Sequence, residues 1–241
     1  MRVNRVCSIG FALVLLTSSA IANEAYQFVT EIPIGGEGGW DILTIDSGRL
    51  YLSHATKVVI VDLNKNATAG EIADTPGVHA FVAVPEFQRG FSSNGKEAKS
   101  SVVDLTTLKT TSTIEIGQNP DAIVYEPRHR EVYVFNHTGN SATVIDAKSA
   151  TVTATTQLGG SPEFAAVDEK TGRVYCNIED KSEVAVIDAT KHEVVARWPI
   201  TPGEEPSGIA LDAAHHRLFA GCHNKRMVML VTGAGKVVAN V

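Results

Sequence analysis

A chain of 241 residues with 44% hydrophobic and 20% charged side chains is too apolar for a disordered protein and too polar for an integral membrane protein. Only 6% of the residues are aromatic; Val, Thr, Ala, Ile, Gly and Asp recur, which is strand-and-turn usage and implies a mostly β protein. The formal charge of -6 argues against nucleic acid as a partner, because a grip on a phosphate backbone needs clustered Lys and Arg.

At the N-terminus, Arg2 and Arg5 precede the apolar run Ile9 to Leu16, and a polar stretch leads to Ala20-Ile21-Ala22, which has the small-x-small form of a signal-peptidase site. Residues 1–22 are expected to be a signal peptide cleaved after Ala22, giving a periplasmic or secreted protein. The run is far short of the roughly 20 residues that span a bilayer, no later segment approaches that length, and no transmembrane anchor is expected. Cys7 lies before the apolar core rather than at its end, the wrong place for lipid attachment. Loss of Arg2 and Arg5 leaves 19 basic against 27 acidic residues, a charge of -8, which counts further against nucleic acid.

Phe28 to Ile34 (FVTEIPI) reads as a strand, similar to TSTIEIG and ARWPI further along. Gly35-Gly36-Glu37-Gly38-Gly39 contains an acid and precedes no helix, so it suits a flexible lead into the next strand and not a phosphate cradle.

From there a repeat dominates. VVIVDL, KSSVVDL, SATVIDA and EVAVIDA end in Asp62, Asp104, Asp146 and Asp188, 42 residues apart each time, and RMVMLVT puts Thr232 at that position after a step of 44. Val78, Pro120, Pro162 and Pro206 form a second anchor with steps of 42, 42 and 44, each opening an apolar run such as DAIVY or SGIAL. In the third unit the runs Asp121 to Tyr125, Glu131 to Phe135, Ser141 to Ile145 and Thr151 to Leu158 are separated by turn residues. A unit of about 42 residues with four antiparallel strands is one propeller blade. The fold class is therefore all-β, a β-propeller of four-stranded antiparallel blades, and the expected blades are about 39–73, 78–117, 120–159, 162–202 and 206–241 within a domain of residues 23–241.

Val132-Tyr133-Val134-Phe135-Asn136, Ala142-Thr143-Val144-Ile145-Asp146 and Gly159-Gly160-Ser161-Pro162 resemble the YVTN repeat of bacterial and archaeal β-propellers, a family of surface-layer-associated and exported single-domain proteins. Leu50-Tyr51-Leu52, Val174-Tyr175-Cys176 and Leu218-Phe219-Ala220 repeat its first element more loosely. The resemblance implies a propeller fold and says little about activity, because relatives mostly lack an assigned one. Relatives of this kind commonly have seven blades. The fifth unit already has four strands, so Phe28 to Ile34 is left as an orphan outer strand, and the expectation is a C-terminally incomplete seven-blade ring. An open arc leaves two blade faces unburied, at about 1.5 to 3 kcal/mol for each apolar side chain left in water.

Chemistry in a propeller concentrates where the inner strands begin. The residues just after the anchors are Trp40, His79, Asp121, Glu163 and Ser207, candidates for ligand binding at the channel mouth. His79, Asp121 and Glu163 offer imidazole and carboxylate donors suited to a divalent metal, the only cofactor suggested. The simpler reading is the polar lining of a wet channel. The loops after the second strands carry His54, Asn94, Asn136 with His137, Asn177, and His223 with Asn224. The asparagines are expected to serve tight turns, while the rim histidines His54, His137 and His223 are candidates for an anion or metal, weighed against isolated exposed imidazoles. The repeated Asp62, Asp104, Asp146 and Asp188 are expected to cap hairpin turns. His215-His216 should lie exposed at a hairpin tip. Cys176 and Cys222 form no C-x-x-C motif, which removes thioredoxin-like chemistry and covalent haem attachment. Export permits a disulfide between them, but both sit in strand-like runs and read better as small buried apolar residues.

No H-E-x-x-H, G-x-S-x-G, EF-hand or P-loop signature occurs. The favoured expectation is an exported propeller acting as a binding or scaffold module for a cell-envelope protein, a glycan or a small molecule. The alternative is a channel-centred enzyme, a metal-dependent lactonase or a quinoprotein-like dehydrogenase.

Overall fold

The computed structural model describes residues 27–241, so the expected signal peptide lies outside the described residues. The chain divides into Met1–Glu31 and Ile32–Val241. Residues 27–31 of the first unit contain no strand.

The second unit holds five four-stranded antiparallel sheets, each formed by consecutive strands in order. They are β1 (Trp40–Asp46), β2 (Arg49–His54), β3 (Lys57–Asp62) and β4 (Ala67–Ile72); β5 (Val78–Val84), β6 (Arg89–Asn94), β7 (Lys99–Asp104) and β8 (Lys109–Glu115); β9 (Pro120–Glu126), β10 (Glu131–Asn136), β11 (Ser141–Asp146) and β12 (Thr151–Gln157). The last two are β13 (Pro162–Asp168), β14 (Arg173–Ile178), β15 (Glu183–Asp188) and β16 (Glu193–Pro199), then β17 (Pro206–Asp212), β18 (Arg217–Cys222), β19 (Met227–Val231) and β20 (Lys236–Asn240). The first strands pack side by side, β1 on β5, β5 on β9, β9 on β13 and β13 on β17, as the inner strands of propeller blades do. No helix among the described residues is long and apolar enough to cross a membrane.

Strand alternation sends neighbouring side chains into two different layers. In β10, Val132 and Val134 join Phe91, Val102 and Ile145 between blades 2 and 3, while Tyr133 and Phe135 join Val174, Ile178 and Ile187 between blades 3 and 4. Tyr51, Ile60 and Phe81 fill the layer between blades 1 and 2, and Tyr175, Trp198 and Leu230 that between blades 4 and 5. Strands covered on both faces read as continuous apolar runs, which is why all of β10 is buried.

The turn aspartates behave as expected. Asp62 Oδ1 accepts from the Asn64 and Lys65 amides at 2.9 and 3.1 Å, and Asp104 Oδ1 from Thr106 and Thr107 at 2.9 and 2.7 Å. Three of these turns close four residues on, Leu108 N–H to Asp104 O and Ala150 N–H to Asp146 O at 2.8 Å and His192 N–H to Asp188 O at 2.9 Å, while the first closes three residues on, Lys65 N–H to Asp62 O at 3.3 Å.

Two expectations are corrected. Residues 28–34 form no strand: a strand needs a neighbour for its backbone groups, and the third strand of every blade is already paired on both edges. Asn94 and Asn136 are not turn residues. They end β6 and β10, fully buried, and their carboxamides donate to the third strand, Asn94 Nδ2 to Ser101 Oγ at 2.9 Å and Asn136 Nδ2 to Thr143 Oγ1 at 3.0 Å. Asn177 lies one residue earlier in its strand and donates across the blade boundary to the Ser207 and Gly208 carbonyls at 2.8 and 3.0 Å. Cys176 and Cys222 are free thiols, as preferred, Cys176 buried and Cys222 half-buried.

Candidate functional site

Two backbone devices, repeated in every blade, build the site. The first is a bulge where the inner strand begins. Pairing jumps between Trp40 and Leu43, Val78 and Ala80, Pro162 and Ala165, and Pro206 and Ile209, and a matching break lies opposite Pro120 between Val134 and Asn136. Bulged residues are released from strict alternation and can be re-aimed. Those positions hold Asp41, His79, Asp121, Glu163 and Ser207. The second device is a backbone tether after the second strand. Ala55, Gly95, His137, Glu179 and His223 donate their amides to the carbonyls of Gly39, Gly77, Asn119, Ser161 and Glu205, at 2.9 to 3.2 Å.

The two series meet at the start of the inner strands. His79 Nδ1 lies 2.7 Å from Asp41 Oδ2 and 3.7 Å from Asp121 Oδ1. His137 Nε2 is 3.3 Å from both Glu163 Oε1 and Glu179 Oε2. His223 Nδ1 is 3.6 Å from Glu179 Oε1 and from Glu205 Oε2. Ser207 Oγ donates to Glu163 Oε2 at 3.4 Å. The result is an arc of five carboxylates and three imidazoles.

Its electrostatics are unbalanced toward negative charge. Burial pushes the Glu163 carboxyl above its ordinary range, and repulsion from Asp121 and Glu179 adds to this. Burial likewise raises Asp121, with Asp41 and Glu179 adding to it and His79 opposing. The hydrogen bond to Asp41 raises His79, against the cost of its burial. Carboxylates crowded in this way resist ionisation unless a cation joins them.

The trio of His79, Asp121 and Glu163 expected as metal donors is not the one drawn together. Instead one donor atom each from His137, Glu163 and Glu179 lies within 4.8 Å of the others. Glu163 is common to both sets. Glu179 is held up by a short 3-10 turn, Glu179–Lys181, that bridges β14 and β15. It had a sequence signal, since His137, Glu179 and His223 are spaced by 42 and 44, the period of the repeat.

The structure also re-registers blade 1. Trp40 pairs with His54 as Val78 pairs with Asn94, so Trp40 is the anchor and Asp41 is the member of the site series. His54 is not a rim residue. It is 1% exposed, both ring nitrogens lack partners, and Trp40 stacks on it with ring centroids 3.8 Å apart. His137 and His223 do lie on the rim, but among carboxylates, which disfavours an anionic ligand. His215 is exposed and pairs with its neighbour Asp212 at 2.7 Å.

The fold defines the class, a β-propeller of four-stranded blades. No protein-family model and no curated protein matches the chain. Among solved structures it is similar to a chain of Kuenenia stuttgartiensis hydrazine synthase, with a TM-score of 0.64 at 17% identity over 87% of this chain and 80% of that one. At that identity the likeness concerns the fold alone.

Proposed function

We propose that this is an exported propeller of the YVTN type, a binding module whose working surface is the acid–histidine arc and whose ligand there is a divalent cation. The observation that carries the reading is the convergence of His137 Nε2, Glu163 and Glu179 within 4.8 Å. One imidazole with two carboxylates suits zinc, manganese or iron better than calcium, which takes six to eight oxygens. Ser207 on Glu163 and His223 on Glu179 would orient the donors from behind. The N-terminal segment supports export, and partners in the cell envelope, whether protein, glycan or small molecule, follow from that location.

Isothermal titration with Zn2+ and with Mn2+ tests the reading. One cation per chain is expected, with binding lost in His137→Ala and in Glu163→Gln and weakened in Ser207→Ala. Equal binding by these variants and the parent protein would end it.

A second reading is favoured by the donor count. Three protein ligands leave coordination positions open, as metal-dependent hydrolases require. A cation there would polarise an ester carbonyl, the chemistry of a lactonase. Turnover of a lactone panel by the metal-loaded protein, absent in Glu163→Gln, is its expected signature.

A further inference from the structure

The tether series explains a second feature of the same surface. In blades 3 to 5 its members are His137, Glu179 and His223, which fill the mouth with charge. In blades 1 and 2 they are Ala55 and Gly95, and a cavity of about 560 Å³ opens there. This lies within the roughly 300–1,000 Å³ range of small-molecule sites. Its floor has few side chains: a Cβ on Gly95 would come within 2.6 Å of His79 Nε2, whereas one on Gly39 would meet nothing within 4 Å and would project into open space.

Trp40 forms one wall and is 47% exposed. Stacking on buried His54, nearly parallel at 5°, fixes the indole plane, so the ring is a preorganised platform. Around it stand Asp41, His79, Lys96 and Asn119. Asp41 Oδ2 is engaged by His79, which leaves Oδ1 as an acceptor, while Lys96 supplies donors and the Asn119 carboxamide supplies both.

We propose that this cavity is a saccharide subsite, in which Trp40 stacks on the apolar face of a pyranose ring and Asp41, Asn119 and Lys96 bond its hydroxyls. A hydroxyl both donates and accepts, and so needs the mixed set present here. A single ammonium is too little for a phosphate, and it repels a quaternary ammonium, which would also need further aromatic walls. The inference does not depend on the cation site, which shares none of these residues.

Trp40 and Trp198 are the two tryptophans, and Trp198 is 8% exposed in the core. Both indoles emit, but Trp198 is already shielded from water, so a ligand-induced blue shift is assigned to Trp40 and should be absent in Trp40→Ala. Chitotriose, cellotriose and maltotriose would be titrated into the full chain, with choline chloride as a competing ligand class and titration calorimetry as the second readout. At least one saccharide should blue-shift the Trp40 emission and bind saturably. Binding should weaken by about tenfold or more in Gly39→Leu, which adds a bulky side chain at the cavity lining and retains Trp40, and in Trp40→Ala. It should persist in Glu163→Gln, which removes only the cation site. Folding of each variant is checked by its thermal midpoint. Saccharide binding that survives both cavity variants, a response to choline alone, or no response to any of the three sugars overturns the proposal.

Discussion

His79 stands between two carboxylates, and its hydrogen bond to Asp41 Oδ2 at 2.7 Å favours the imidazolium. A folded value above the ordinary value of about 6.5 means that this interaction stabilises fully below that pH and is lost as pH rises through the folded value. NMR should find the His79 midpoint above about 6.5, and Asp41→Asn should lower it; a lower midpoint in the parent protein contradicts the geometry. The turn carboxylates have the opposite sign. Asp146 accepts from the Ser149 amide at 2.6 Å and the Ser149 hydroxyl at 2.8 Å, and these bonds, the amide's first, hold it below the ordinary range. Its contribution is present above the ordinary carboxylate value and is lost as pH falls through the lowered one. Asp146→Ala should cost about 1 kcal/mol, and calorimetry should show a Tm lower by about 2–4 °C. His79, Asp121, Glu163 and Ser207 were legible because Val or Pro marks the residue before them. Asp41 was hidden by a Trp in the anchor position. Glu179 was hidden because its position carries Gly, His, Glu and His in successive blades, so no residue type marks it.

At the scale of the strand, apolar runs and turn residues were enough to read all four strands of each blade, because both faces of a central strand are buried and its alternation is replaced by continuous Val, Ile and Tyr. Pairing partners were less legible. Phe28 to Ile34 has strand composition, but whether a strand forms depends on a free edge elsewhere in the molecule, which local sequence does not encode. The bulges that aim the site residues are likewise a backbone property without a residue signature. Close packing between strands makes a sharper prediction. A Cβ on Gly90 in β6 would overlap the Phe81 ring of β5. Gly90→Ala should therefore destabilise by about 1–3 kcal/mol in denaturant titration, whereas Gly39→Ala, with nothing within 4 Å, should be close to neutral.

Across the whole molecule each blade rests on its neighbours, and β17 makes no packing against β1 comparable to that between successive inner strands. Blades 1 and 5 thus bury one face within the described residues. Leu43 and Ile45 of blade 1 are 56% and 67% exposed, and Met227 of blade 5 is 46% exposed. In a nearest-neighbour stack the terminal units open first. Hydrogen exchange should be faster in β2 and β18 than in β6, β10 and β14, and uniform protection would show that the outer faces are covered. The same stacking brings donors from blades 3 and 4 together, and the central claim is that they hold a cation. Crystals grown with Zn2+ and measured at the zinc absorption edge test this most directly. The account predicts an anomalous peak about 2.0–2.2 Å from His137 Nε2, Glu163 and Glu179. A zinc-saturated crystal with density only elsewhere, such as at His215 and Asp212, would contradict it.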